Sequence, residues 1–281
     1  MPELSSIFPK KRLFPACLLL CLAVAIPVPA SESPVGLPWD DPVPELWFPV
    51  GEEIDYEVFW GVFMVGEATA KAEWVNRDGR RLLSLSMTAK SNGLVEKLYP
   101  VEETMLTLLD PATFLPLSFE KKSREGRHRY HEITTFDHAA KKGHWKSLLK
   151  DKQKDFDIEA DTRDLMGLMY WIRKEPIPAE ETRVYRVMTD EKMYELIVEA
   201  GKREKVSLEN YGKVPCIKME PKGKFNGMFV RKGRMFLWLS DDERYTICRA
   251  TASVPVASIK IMLKNVRGPG DDFWTQGAKP K

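Results

Sequence analysis

The residues that could do chemistry are few and loosely placed. All four histidines, His128, His131, His138 and His144, fall within 17 positions, and imidazoles gathered so closely are the raw material of a transition-metal site. Alternation argues against one. His128 and His131 are three apart on an expected strand and point to opposite faces, while His138 and His144 lie in or beside the next turn. No metal ligand is assigned. Asp241-Asp242-Glu243 offers paired carboxylates that could divide acid and base roles, but it lies between two strand signals and reads as a polar turn. Asp151, Asp155, Asp157 and Asp161 lack the ordered spacing and glycine of a calcium loop. The chain has no G-x-S-x-G elbow, H-E-x-x-H, phosphate loop or C-x-x-C pair, so no catalytic residue and no cofactor is assigned. The expected class is not an enzyme; a hydrolase-like activity ranks third among the readings.

The first residues have a different purpose. Lys10, Lys11 and Arg12 precede an apolar run of 14 residues, Leu13 to Ile26, too short to span a bilayer. Val28-Pro29-Ala30 follows with small residues at the cleavage positions, so residues 1–30 read as a signal peptide cut after Ala30, and the protein is expected in the periplasm with no transmembrane helix in its mature chain. Removing Lys10, Lys11, Arg12 and Glu3 takes the formal charge from +2 to zero, which argues against nucleic acid as a partner.

The elements that must carry any site are strands. Ile54, Tyr56, Val58 and Trp60 alternate with acidic residues; Gly66, Ala68, Ala70, Ala72 and Trp74 alternate with Glu67, Thr69, Lys71 and Glu73; Leu83, Leu85, Met87 and Ala89 alternate with polar residues. One dry and one wet face is the antiparallel pattern. Similar runs follow to the C-terminus, separated by turns such as Asn76-Arg77-Asp78-Gly79 and Arg124-Glu125-Gly126. The fold expected is mainly β: a curved antiparallel sheet or incomplete barrel of about a dozen strands.

One amphipathic helix is expected at about 162–174, with Leu165, Leu168, Met169 and Ile172 as its apolar stripe, Asp161 or Thr162 as its cap and Pro176 as its stop. A shorter helical turn is expected around Gly93–Leu98. Residues 31–47 are Pro-rich and read as a linker, 48–267 as a single β-rich domain, and 268–281 as a flexible tail on which Phe273 and Trp274 could dock.

The candidate site follows from these elements. Gly66, Ala68, Ala70 and Ala72 present almost bare backbone on one face, which leaves a hollow for the helix or for a ligand beneath it. A ligand there would touch Trp60, Gly66, Ala68, Ala70, Ala72, Trp74, Leu165, Met169 and Trp238. Lys218, Lys222, Lys224, Arg231, Lys232 and Arg234 form a basic rim that reads as solvated by default. A Cys216–Cys248 disulfide is open but not favoured, because one intervening strand separates two chains by about 9–10 Å and a disulfide needs Cα atoms roughly 4.4–6.8 Å apart.

An ordered series of segments resembles the domain-of-unknown-function family 3108 (DUF3108) of bacterial envelopes. It comprises Phe48-Pro49-Val50-Gly51-Glu52-Glu53, Tyr56, Trp60-Gly61, Gly66-Glu67-Ala68, Ser91-Asn92-Gly93-Leu94, Tyr99-Pro100-Val101, Phe119-Glu120-Lys121, Thr135-Phe136-Asp137, Asp164-Leu165-Met166 with Tyr170, Arg231-Lys232-Gly233-Arg234 and Trp238-Leu239-Ser240-Asp241-Asp242. The resemblance implies an exported β-rich domain and supplies no catalytic residue. Its strand-plus-helix pattern is similar to the half-open barrels of lipoprotein carriers, so the expected function is binding of an amphipathic ligand, a lipid, acyl chain or glycolipid, between sheet and helix. The alternative is an envelope assembly module with a filled core, whose partner is another envelope protein.

Overall fold

A computed structural model describes residues 36–189, 192–225, 228–229, 234–253, 258–271 and 274; residues 1–30, expected to be a signal peptide, lie outside them. The described chain folds as β1 (Leu37–Pro38), β2 (Glu53–Trp60), β3 (Phe63–Arg77), β4 (Arg80–Ser91), α1 (Gly93–Leu98), β5 (Val101–Leu109), β6 (Pro116–Glu125), β7 (His128–Asp137), β8 (Lys142–Ser147) and β9 (Lys152–Asp157). It continues as β10 (Arg163–Asp164), α2 (Leu165–Trp171), β11 (Thr182–Thr189), β12 (Lys192–Leu208), β13 (Gly212–Phe225), β14 (Met228–Phe229), β15 (Met235–Ser240), β16 (Ile247–Ser253) and β17 (Ser258–Arg267). All belong to one open sheet of 17 strands, which bears out the mainly β expectation with more strands than expected.

The sheet is a meander in two runs. Strands β2 to β9 each pair antiparallel with the next, and so do β11 to β13; β13 then pairs with β15, and β15 to β17 continue. The last strand returns to the first, β17 against β2, with Ile261 opposite Val58. Of the inward residues read from alternation, Ile54, Tyr56, Ala68, Ala70, Ala72, Leu83, Leu85 and Met87 are buried in one core, while Val58, Trp74 and Ala89 are only partly buried against it.

A second core lies on the other side of β13. Val214 and Cys216 belong to the first, Ile217 and Met219 to the second, so alternation puts the two cores on opposite faces of this strand. The bulge between Ala200 and Arg203 makes the matching change in β12: Val198 and Ala200 face the second core, Val206 and Leu208 the first.

Three boundaries need correction. The span 36–47 is not a free linker: Leu37 and Pro38 pair with Arg81 and Arg80, Arg81 donates to the Trp39 and Asp41 carbonyls, and Trp47 Nε1 donates to the Tyr170 carbonyl at 2.7 Å. Prolines suit such a short edge strand, which needs few donors. The tail is fixed at Trp274, which packs edge-on against Tyr211 at 5.1 Å and donates to Asp242 at 2.7 Å. The expected helix at 162–174 is shorter, Leu165–Trp171, and Asp164 is its cap in place of Asp161 or Thr162.

Candidate functional site

The alanine wall is where alternation places it, and it is covered. Ala68, Ala70 and Ala72 are at most 4% exposed and share one core cluster with Met166 and Tyr170 of α2 and with Leu83, Leu85 and Met87 of β4. Phe48 packs tilted against Tyr170 at 4.7 Å, and Trp47 lies against Phe114 at 4.6 Å and Trp171 at 5.5 Å, adding aromatic mass around the helix. Gly66 has a different job from leaving space: a Cβ there would lie 2.4 Å from the Lys90 carbonyl oxygen, so glycine lets β3 and β4 approach. Two of the cavities among the described residues lie elsewhere. One of about 10 Å³ lies among Phe119, Lys121, Glu132, Thr134, Trp145 and Met188. The other, about 210 Å³, is an open groove along Glu57, Phe59, Lys260, Met262 and Lys264. Neither touches the alanine wall or α2.

The helix is not a rod with one apolar stripe. Met166 and Tyr170 enter the first core while Leu168 and Ile172 enter the second, so α2 is wedged between them; Leu165 and Met169 are only partly buried. A helix apolar on several sides belongs in an interior.

The other expected ligand residues disperse. Trp60 ends β2 at the rim, 42% exposed and opposite Phe63. Trp74 is half-buried at the edge of the first core. Trp238, on β15, donates to Glu204 at 2.7 Å beneath the Arg249 guanidinium, 4.3 Å from its ring. α2 packs on β4, β5, β10 and β11, and none of the nine residues lines either cavity.

The cap of α2 is a buried carboxylate. Asp164 Oδ1 accepts from Met166 N–H at 2.8 Å, Gly167 N–H at 3.0 Å and the Thr107 hydroxyl at 2.7 Å. Oδ2 has no hydrogen-bond partner and crowds Gly167, where a Cβ would come within 3.1 Å. Burial pushes the Asp164 pKa up, against these hydrogen bonds.

Sequence reasoning missed the charged cluster behind the helix. Glu52 is ion-paired with Arg173, whose Nη2 donates to Oε2 at 3.1 Å, and Arg244 Nη2 lies 3.6 Å from the same oxygen. Arg173 Nε donates to the Arg244 carbonyl at 3.1 Å, and Arg244 Nη1 to the Gly270 carbonyl. All three side chains are buried. Burial works against the Arg173 charge, yet Glu52 outweighs it and the pKa is raised; at Arg244 burial prevails and the pKa is lowered. The cluster ties the start of β2, the end of α2 and the β15–β16 turn together. The only sequence signal was the Phe48–Glu53 segment of the family resemblance.

The remaining candidates are spread over the surface. His131 meets Glu120 at 2.6 Å and His144 meets Asp155 at 2.5 Å, while His138 contacts the Pro116 carbonyl at 2.9 Å. Among the described residues, no three His, Cys, Asp or Glu are placed to hold a metal ion. Lys218, Lys222, Lys224 and Arg234 are ion-paired with Glu204, Glu199, Glu195 and Glu220; Arg231 and Lys232 lie outside the described residues. Asp242 forms the expected turn, its Oδ1 accepting from the Ser240 hydroxyl at 2.8 Å and from Arg244 N–H at 3.0 Å.

Cys216 and Cys248 are buried and unbonded. Their strands are separated by β15, but β15 ends at Ser240, opposite Cys216, and Cys248 is the extra residue of the β16 bulge. The thiols meet around that end, which the strand-spacing argument did not foresee, and the Cys216 thiol together with burial pushes the Cys248 pKa up.

This geometry defines a large open-sheet β protein. The chain belongs to the family described as protein of unknown function (DUF3108), whose model matches residues 55–264. Among solved structures it is similar to a beta-barrel-like protein of the domain of unknown function DUF1849 from Brucella abortus, with a TM-score of 0.53 and 10% identity over 77% of this chain and 97% of that one. That likeness shows a shared fold. No protein with a curated description matches. Among the described residues, no helix is long and apolar enough to cross a membrane.

Proposed function

We propose that this is an exported, non-catalytic envelope protein that works from its surface, as a filled β scaffold. The observation that carries this reading is the buried alanine wall: the hollow expected to receive a ligand is closed over, with Ala68, Ala70 and Ala72 at most 4% exposed in one core of the chain's own side chains. An acyl chain laid between sheet and helix needs that same volume, and close-packed interiors do not yield it without cost. Export rests on the basic, apolar and small-residue order of positions 10–30.

The test is lipid extraction and mass spectrometry of the purified protein, with thermal melts in monomeric lysophospholipid or fatty acid below micelle formation. The reading expects no stoichiometric lipid and an unchanged melt. A saturable rise in melting temperature, or one lipid per chain, overturns it in favour of the interior-ligand reading.

A further inference from the structure

One end of the sheet carries an apolar rim. In an antiparallel meander the connections after β2, β4, β6 and β8 all fall at the same end. The first is a two-residue turn, Gly61-Val62, between Trp60 and Phe63. Val62 is 84% and Phe63 74% exposed, and a Cβ on Gly61 would meet nothing within 4 Å, so the tip stands clear of the body. The second connection is α1, held beside this tip by Asn92, whose Nδ2 donates to the Met64 carbonyl at 2.6 Å. At its far end Leu98 is 83% exposed. Tyr99 lies against the third connection, where a Cβ on Gly126 would come within 2.7 Å of its ring. Lys150 sits 5.5 Å above the Tyr130 ring and carries the rim to exposed Leu149 in the fourth.

Cations accompany these apolar tips. Lys97, Arg127 and Arg129 are exposed and form no ion pair among the described residues. The acidic groups nearby are Glu96, Glu102, Glu125 and Asp151. Lys90 lies 3.9 Å from Glu96 and 4.0 Å from Glu102, and Arg124 lies 3.7 Å from Glu102. Water-exposed valine, phenylalanine and leucine on projecting tips gain by leaving water, and the unpaired cations beside them suit an anionic plane. Tryptophan and tyrosine at the base of the tips are suited to the polar–apolar boundary.

We propose that this rim docks the protein on an anionic lipid bilayer, with Trp60, Val62, Phe63 and Leu98 entering the interface and Lys97, Arg127 and Arg129 facing the headgroups. The proposal rests on the surface-acting reading above, and its test separates the two: a rim that ignores vesicles leaves the filled interior standing.

The test is flotation of the purified protein with vesicles of phosphatidylcholine alone and of phosphatidylcholine mixed in equal parts with phosphatidylglycerol. Binding is expected to the mixed vesicles and to weaken with salt. Val62→Asp and Phe63→Glu each lower it at least about tenfold, because burying a side chain of this size is worth one to two powers of ten in affinity. Lys97→Glu with Arg127→Glu weakens binding to the anionic vesicles. Val184→Asp, at an exposed site on β11, leaves it unchanged. Melting curves establish that each variant is folded. Absence of binding to the mixed vesicles overturns the proposal, as does equal loss with Val184→Asp. Self-association that disappears in Val62→Asp, without vesicle binding, reassigns the rim to a second copy of the chain.

Discussion

Glu52 and Arg173, 121 residues apart in sequence, meet as a two-point ion pair shielded from water, and Arg244 shares the same carboxylate. One acid facing two guanidinium groups leaves a buried excess of positive charge, eased by the Arg244 and Gly270 carbonyls, which each accept one further guanidinium N–H.

Removing the acid strands both cations. Glu52→Gln is expected to cost about 3–5 kcal/mol and to lower the melting temperature by roughly 6–20 °C in a domain of this size. The exposed pair of Arg203 and Asp241 is the contrast: Arg203→Gln leaves the melting temperature nearly unchanged. Thermal melts of the two variants check this, and equal costs contradict it.

Asp164 makes stability depend on pH. Its folded pKa is raised by burial above the ordinary aspartate value, so the folded state holds this proton more tightly than the unfolded chain. Its contribution is complete below about pH 4 and is lost as pH rises through the folded pKa. Asp164→Asn keeps an oxygen for Met166, Gly167 and Thr107 without the charge. Wild type is expected to lose stability relative to this variant from about pH 4 upward in denaturant titrations; a relative gain contradicts the account. Asp164→Ala removes the cap and costs about 1–2 kcal/mol at low pH, less as pH rises through the folded pKa.

Cys216 and Cys248 are fully buried, and the Cys248 thiol is further disfavoured from ionising. Thiol reagents are expected to label neither in the native protein except at the rate of global unfolding, and both at once in denaturant. Rapid native labelling of either contradicts the packing described.

Alternation made much of this fold legible, because strands such as β2, β3 and β4 keep one face in the core over most of their length. It could not reveal that β13 buries one face at its first residues and the other at Ile217 and Met219, since that exchange depends on how the sheet twists. For the same reason α2 was found but its surroundings were not: one stripe was read, and two cores receive it. Nothing local to Glu52, Arg173 or Arg244 announces a partner 71 or 121 residues away. Strand parity places Trp60 on the dry face beside a ligand; parity assigns a side but not a depth, and the tight turn at Gly61-Val62 makes it rim.

The filled hollow is tested most directly by enlarging its wall. In a packed interior Ala70→Leu forces its neighbours apart and is expected to lower stability by about 1–3 kcal/mol in equilibrium denaturation. In a ligand groove the added side chain finds open room and gains burial. Unchanged or increased stability of Ala70→Leu contradicts the account.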